Sequence, residues 1–239
     1  MQDKGLIVAL DTDNLERVKV LVAQLKNKVD YFKVGLELYT TFGPQVIEWL
    51  KSQGCSIFAD LKYHDIPNTV SHAALALARQ GVDIFDLHLS GGPSMVETTV
   101  NQVRQFTKEQ EIKTPKILGI TVLTSTSEQE YSNQGYSEAL TDRVISLAKM
   151  GQACGLDGVV ASPKEASMIR KACGPDFLIV TPGIRPKWAV SDDQQRITTP
   201  GQALDLGANY LVVGRPITKA EHPASAADKI LLEMEGLDN

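Results

Sequence analysis

The chain has 239 residues, of which 43% are hydrophobic and 22% charged, with a formal net charge of −5. This balance is that of a globular protein rather than a disordered one, and the length suits a single α/β barrel domain. The acidic total argues against broad electrostatic binding to nucleic acid, while leaving room for a local cationic pocket around a small anion.

Leu6–Leu10 reads as the first strand, and Asp11 ends it. Further short apolar runs follow at Tyr31–Gly35, Cys55–Leu61, Ile84–Leu89, Ile117–Leu123, Gly158–Ala161, Phe177–Thr181 and Tyr210–Gly214. Helical patterns lie between them. Thr69 to Arg79 predicts a helix that ends before Gly81. Ser137 reads as an N-cap for a helix carrying Leu140, Val144, Leu147 and Ala148 on one face, with Gly151 as its stop. Strands alternating with helices imply βαβ units and a parallel sheet. Eight such units in this length imply a closed (β/α)8 barrel of the TIM type, with residues 1–239 as one domain. The competing architecture is an open doubly wound sheet. No G-x-G-x-x-G follows the first strand, so its dinucleotide-binding version has no support.

A barrel of this kind places catalytic groups at the C-terminal strand ends and often a phosphate site after strands seven and eight. Asp11 falls at the end of strand one, where it is either a helix cap, beside Thr12, Asp13 and Asn14, or a ligand-binding residue. In Tyr31-Phe32-Lys33-Val34-Gly35, Phe32 and Val34 take the helix side and Lys33 the interior, where a lysine needs carboxylate partners. The alternative is a frayed strand with a lysine reaching solvent. Strand three ends in Asp60-Leu61-Lys62-Tyr63-His64-Asp65-Ile66-Pro67-Asn68-Thr69. Asp60 and Lys62 are expected to share one face and Leu61 the other. Charges at a buried strand end are costly unless paired, so this run reads as a site or as a purely structural ion pair. Nearby carboxylates favour a protonated Lys62, a proton donor rather than the neutral amine that Schiff-base chemistry needs.

Pro182, Gly183 and Arg185 follow strand seven, and Gly214 and Arg215 follow strand eight. Glycines let backbone N–H groups approach an anion, and arginine forks match phosphate oxygens; phosphate binding is the expectation. The long polar stretch from Lys187 to Pro200 reads as a lid, from which Gln194 reaches a phosphate. Thr124, Ser125, Thr126 and Ser127 after strand five either read a polar heterocycle or cap the next short helix. His88, with Ser90, Gly91 and Gly92, is assigned no catalytic role.

Cys55, Cys154 and Cys173 are isolated, and His64, His72, His88 and His222 lack a metal-ligand spacing. Neither a disulfide framework nor a zinc site is expected, and a reduced cytoplasmic setting fits. Leu6–Leu10 is too short for a signal-peptide core or a membrane span.

The run ADLKYHDIPNT, with Lys33 before it and TPGIR and VGRPI after it, resembles bacterial orotidine 5′-phosphate decarboxylase over nearly the whole chain. The resemblance implies decarboxylation of orotidine 5′-monophosphate to uridine 5′-monophosphate, the final step of de novo pyrimidine synthesis, with no metal and no organic cofactor. It also implies roles. Asp60 lies beside the departing carboxylate, Lys62 protonates C6, Lys33 links Asp60 to the ribose, and Asp11 binds a ribose hydroxyl. Asp65, Ile66 and Thr69 come from the partner subunit of a homodimer with shared sites. Thr124 or Ser125 meets the pyrimidine. Gln194, Arg215 and the Gly214 backbone hold the phosphate, with Pro182 and Arg185 beside them. A rival with a similar D-x-K-x-x-D pattern is the Mg2+-dependent decarboxylase of 3-keto-L-gulonate 6-phosphate. Its metal calls for an acidic residue where this chain has Lys33. A catalytically silent phosphate-binding barrel is the alternative of a different class.

Overall fold

The structure, a computed structural model, describes residues 4–189 and 198–237. Eight parallel strands close in sequence order: β1 (Gly5–Ala9), β2 (Tyr31–Gly35), β3 (Ile57–Tyr63), β4 (Ile84–His88), β5 (Lys116–Ile120), β6 (Gly158–Val160), β7 (Leu178–Thr181) and β8 (Tyr210–Val213), with β8 pairing back onto β1. The chain is thus a (β/α)8 barrel. Strand alternation sorts its apolar side chains into two shells. Ile7, Phe58, Ile84, Leu118, Val180 and Val212 fill the barrel interior. Val8, Phe32, Val34, Ala59, Phe85 and Leu211 face the helices. Each large apolar side chain so buried contributes about 1.5–3 kcal/mol. Among the described residues no helix is long and apolar enough to cross a membrane.

The N-terminal face is held by a repeated device. The residue just before each even strand accepts a hydrogen bond from a backbone N–H at the start of the preceding odd strand. Asp30 takes Leu6 N–H (2.7 Å), Asp83 takes Ile57 (2.9 Å), Asp157 takes Ile117 (2.7 Å) and Asn209 takes Ile179 (2.9 Å). Four otherwise unpaired donors at the barrel floor are thereby satisfied, and the polar residues of this face serve register rather than chemistry.

Several boundaries differ from the sequence expectation. The helix expected from Thr69 starts at Pro67, because proline's fixed φ suits the first helical position. The helix expected from Ser137 runs Leu140–Ala153 with Ala139 at its N-cap. Gly151 does not stop it. A Cβ there would sit 3.0 Å from Leu89 and 3.1 Å from Leu156, so the glycine permits close packing within the helix. The turn that follows uses Gly155, at φ +85°. β5 ends at Ile120, three residues before the apolar run does, and frees Val122 and Leu123 for the mouth of the barrel.

Candidate active site

At the C-terminal mouth lies a cavity of about 420 Å3, lined by Asp11, Lys33, Asp60, Lys62, Thr124, Pro182, Gly183, Arg185, Gly214 and Arg215 together with apolar residues such as Phe58 and Ile120. Its charged side is a chain of alternating sign. Lys33 is 7% exposed and points inward. Its Nζ donates to Asp11 Oδ1 at 2.9 Å and lies 3.0 Å from Asp60 Oδ2. The other Asp60 oxygen, Oδ1, takes Lys62 Nζ. Asp11 is therefore a partner of Lys33. The helix that follows β1 is capped instead by Asn14, whose Oδ1 accepts Arg17 N–H at 3.0 Å.

Burial alone would lower the Lys33 amine, but the charges of Asp60 and Asp11 outweigh it and raise its pKa. Burial likewise pushes Asp60 up. The Lys33 charge, a hydrogen bond shared with Asp86 and the Lys62 charge overcome that and hold it at about 2. Asp60 is thus a carboxylate at any working pH. Gly35 makes room for this chain: a Cβ there would stand 2.8 Å from Lys33 Nζ and 3.0 Å from Asp11 Oδ1.

Asp60 and Lys62 do reach the same cavity while Leu61 packs in the outer shell, but not along a regular strand. Pairing of β3 with β4 passes from Ala59↔Phe85 to Tyr63↔Leu87, so the pairing slips in a bulge. Lys62 sits inside it with φ +52°. A non-glycine residue in this left-handed region costs about 1–3 kcal/mol and needs outside support. Asp86 supplies it, its Oδ1 accepting Lys62 N–H at 2.8 Å. Bulges re-aim side chains beside active sites, and this one turns Lys62 toward Asp60.

In the loop after β7, Gly183 takes φ +78°, which favours glycine. Arg185 has its pKa lowered by burial and by the neighbouring charge of Arg215. Among the described residues neither guanidinium has an ion-pair partner, so the pair forms a local concentration of positive charge suited to a dianion.

Of the other expected residues that the structure describes, none lines this cavity. Asp65, Ile66 and Thr69 lie on the exposed rim beyond β3; Ile66 is 64% exposed, and Asp65 Oδ1 accepts the N–H of Ile66. Lys62 pairs with Asp60, and among the described residues no ion pair joins it to Asp65. Ser125 is exposed and does not line the cavity. Ser127 caps the helix Glu128–Asn133 through a capping box with Glu130. Gln194 and most of the stretch read as a lid fall outside the described residues. Sequence reading missed Gly35 and Asp86. For Asp86 the signal was available: it is a lone carboxyl in the apolar strand Ile84-Phe85-Asp86-Leu87-His88, on the interior side with Ile84.

Fold and site together define a (β/α)8-barrel protein whose C-terminal mouth carries a lysine–aspartate chain and an arginine pair in one cavity. Residues 4–230 match the model of the "Orotidine 5′-phosphate decarboxylase / HUMPS family". The chain is 48% identical over 229 residues to an orotidine 5′-phosphate decarboxylase of Trichlorobacter lovleyi, covering 96% of this chain and 94% of that protein. It is 46% identical over 231 residues to one of Syntrophotalea carbinolica, covering 97% and 95%. A crystal structure of orotidine 5′-phosphate decarboxylase from Lactobacillus acidophilus superposes with a TM-score of 0.86 at 40% identity, covering 97% of this chain and 99% of that one. The chain belongs to the orotidine 5′-phosphate decarboxylase / HUMPS family.

Proposed function

We propose that this protein decarboxylates orotidine 5′-monophosphate to uridine 5′-monophosphate and CO2, the last step of UMP synthesis. The observation that carries the reading is that the Asp11–Lys33–Asp60–Lys62 chain and the Arg185–Arg215 pair line one and the same cavity. The arginines, with the Gly183 and Gly214 backbone and Pro182, receive the phosphate, and Gln194 joins them. Thr124, which lines the cavity, meets the pyrimidine, and Asp11 and Lys33 the ribose. The substrate carboxylate then lies beside Asp60. When the C6–carboxyl bond breaks, its electron pair stays on C6. The Lys62 ammonium stabilises that charge as it develops and gives C6 a proton, an interaction realised in the transition state. Asp60 holds Lys62 in place and stays ionised throughout.

The exposed rim Asp65–Ile66, with Thr69 one helical turn on, supports a homodimer in which these residues complete the partner's site. Residues 1–239 act as one domain, and the three unbridged cysteines fit a cytoplasmic setting. No metal or organic cofactor enters the scheme. The Lys33 ammonium occupies the place between Asp11 and Asp60 that a divalent cation would need, which disfavours the Mg2+-dependent 3-keto-L-gulonate 6-phosphate decarboxylase reading.

The test is ultraviolet monitoring of purified protein with orotidine 5′-monophosphate after exhaustive chelation. Full activity is expected. A strict Mg2+ requirement would favour the rival decarboxylase, and binding without turnover would favour a silent phosphate-binding barrel.

A further inference from the structure

Alternation along β4 turns Phe85 and Leu87 outward and leaves Asp86 inside with Ile84. Asp86 is completely buried. An ionised carboxylate in such a place needs a cation or several donors. One backbone donor is present, Lys62 N–H on Oδ1. Oδ2 accepts from no group, and the neighbouring hydrogen-bonding side chain is the carboxyl of Asp60. Two adjoining carboxyls do not both ionise. Asp60 has two ammonium partners, Lys33 and Lys62, so the negative charge resides there. The remaining proton falls to Asp86.

We propose that Asp86 is a positioning residue for Lys62 and Asp60: Oδ1 holds the Lys62 backbone in its left-handed turn while the Oδ2 hydroxyl donates to Asp60. Both ends of the Asp60–Lys62 pair are thereby fixed from a strand that does not touch the cavity. The role rests on the decarboxylase reading above. Burial first, then the charge of Asp60 and the shared hydrogen bond, push the Asp86 carboxyl well above its ordinary value, against the opposing Lys62 N–H and charge. The charged and titratable groups facing it are Asp60, Lys62 and Tyr63 on β3, with Lys33 reaching Asp60 from β2. His88 lies on its own strand, where burial and then His64 and Lys62 lower its pKa. β5 presents Leu118 in register.

An acid that works while protonated is replaceable by its amide. Asparagine offers a carbonyl to Lys62 N–H and an N–H to Asp60, whereas leucine, of the same branched shape but larger, offers neither. Asp86→Asn should keep kcat within about tenfold of wild type. Asp86→Leu should lower kcat by about 10²-fold with KM little changed, since a misplacement near 1 Å has that effect and the arginine pair is untouched. A second readout is independent of turnover. Wild type must hold a proton in the fold that the unfolded chain releases above about pH 4. Its stability relative to a non-titrating variant therefore falls as pH rises from there. The melting temperature of Asp86→Asn minus that of wild type should widen between pH 5 and pH 8.

Asparagine as inactive as leucine in a folded protein, leucine as active as wild type, or a melting difference flat with pH would each overturn the proposal. Where Asp86→Leu does not fold, the asparagine rate and the melting comparison decide. Wild-type protein without turnover would overturn the decarboxylase reading instead, and the melting comparison then remains as the test of Asp86.

Discussion

Gly35→Ala is a one-carbon probe of the charge chain. The new Cβ would lie 2.8 Å from Lys33 Nζ and 3.0 Å from Asp11 Oδ1. Ordinary contact for such atoms is about 3.5–4.0 Å, so the ammonium must retreat by roughly 1 Å. At least one of its contacts, 2.9 Å to Asp11 and 3.0 Å to Asp60, would then stretch past hydrogen-bonding range. A hydrogen bond to a charged group is worth about 1.5–3 kcal/mol. At about 1.4 kcal/mol per tenfold in rate, losing one such contact lowers kcat/KM by roughly 10- to 150-fold. The fold should survive, because Gly35 has φ −93°, open to any residue, and the clash is with the tip of a flexible side chain. The assay is the rate of orotidine 5′-monophosphate decarboxylation, with circular dichroism as the control for folding. A folded variant within twofold of wild type would refute the claim that the Lys33 position is held by the space at Gly35.

Arg215→Ala should mainly raise KM, because it removes a charge-assisted contact to phosphate; a substrate lacking the phosphate should show little further penalty. An equal penalty on both substrates would rule out direct phosphate contact. Mixing inactive Asp65→Ala protein with inactive Lys62→Ala protein should restore activity through mixed dimers. With random exchange about half the dimers are mixed and about a quarter of all sites intact, by two-fold symmetry. Verified exchange without recovered activity would place Asp65 in its own subunit's site.

The barrel was legible because each strand is a short apolar run between helical patterns, a signal that survives errors at the ends. Those errors have local causes. Gly151 looks like a stop in sequence but is a packing contact against Leu89 and Leu156. Lys33 could be given its inward direction because Phe32 and Val34 flank it with apolar groups and a regular strand alternates. The same rule gave the facing of Asp60, Leu61 and Lys62 but hid how it arises. The bulge and the left-handed Lys62 depend on a contact with Asp86, 24 residues further on, which period-two reading of β3 does not contain. Asp65 illustrates a different limit. Nothing local says whether a residue past a strand end faces its own barrel, and in the single chain it lies on the exposed rim.

The most direct test of the account is the turnover of Lys62→Ala beside wild type, both shown to be folded and to bind uridine 5′-monophosphate. Lys62 is assigned both the stabilisation of charge at C6 and the proton delivered there, so the variant should bind the product and fail to decarboxylate the substrate. A variant that kept a tenth of wild-type turnover would contradict the mechanism at its centre.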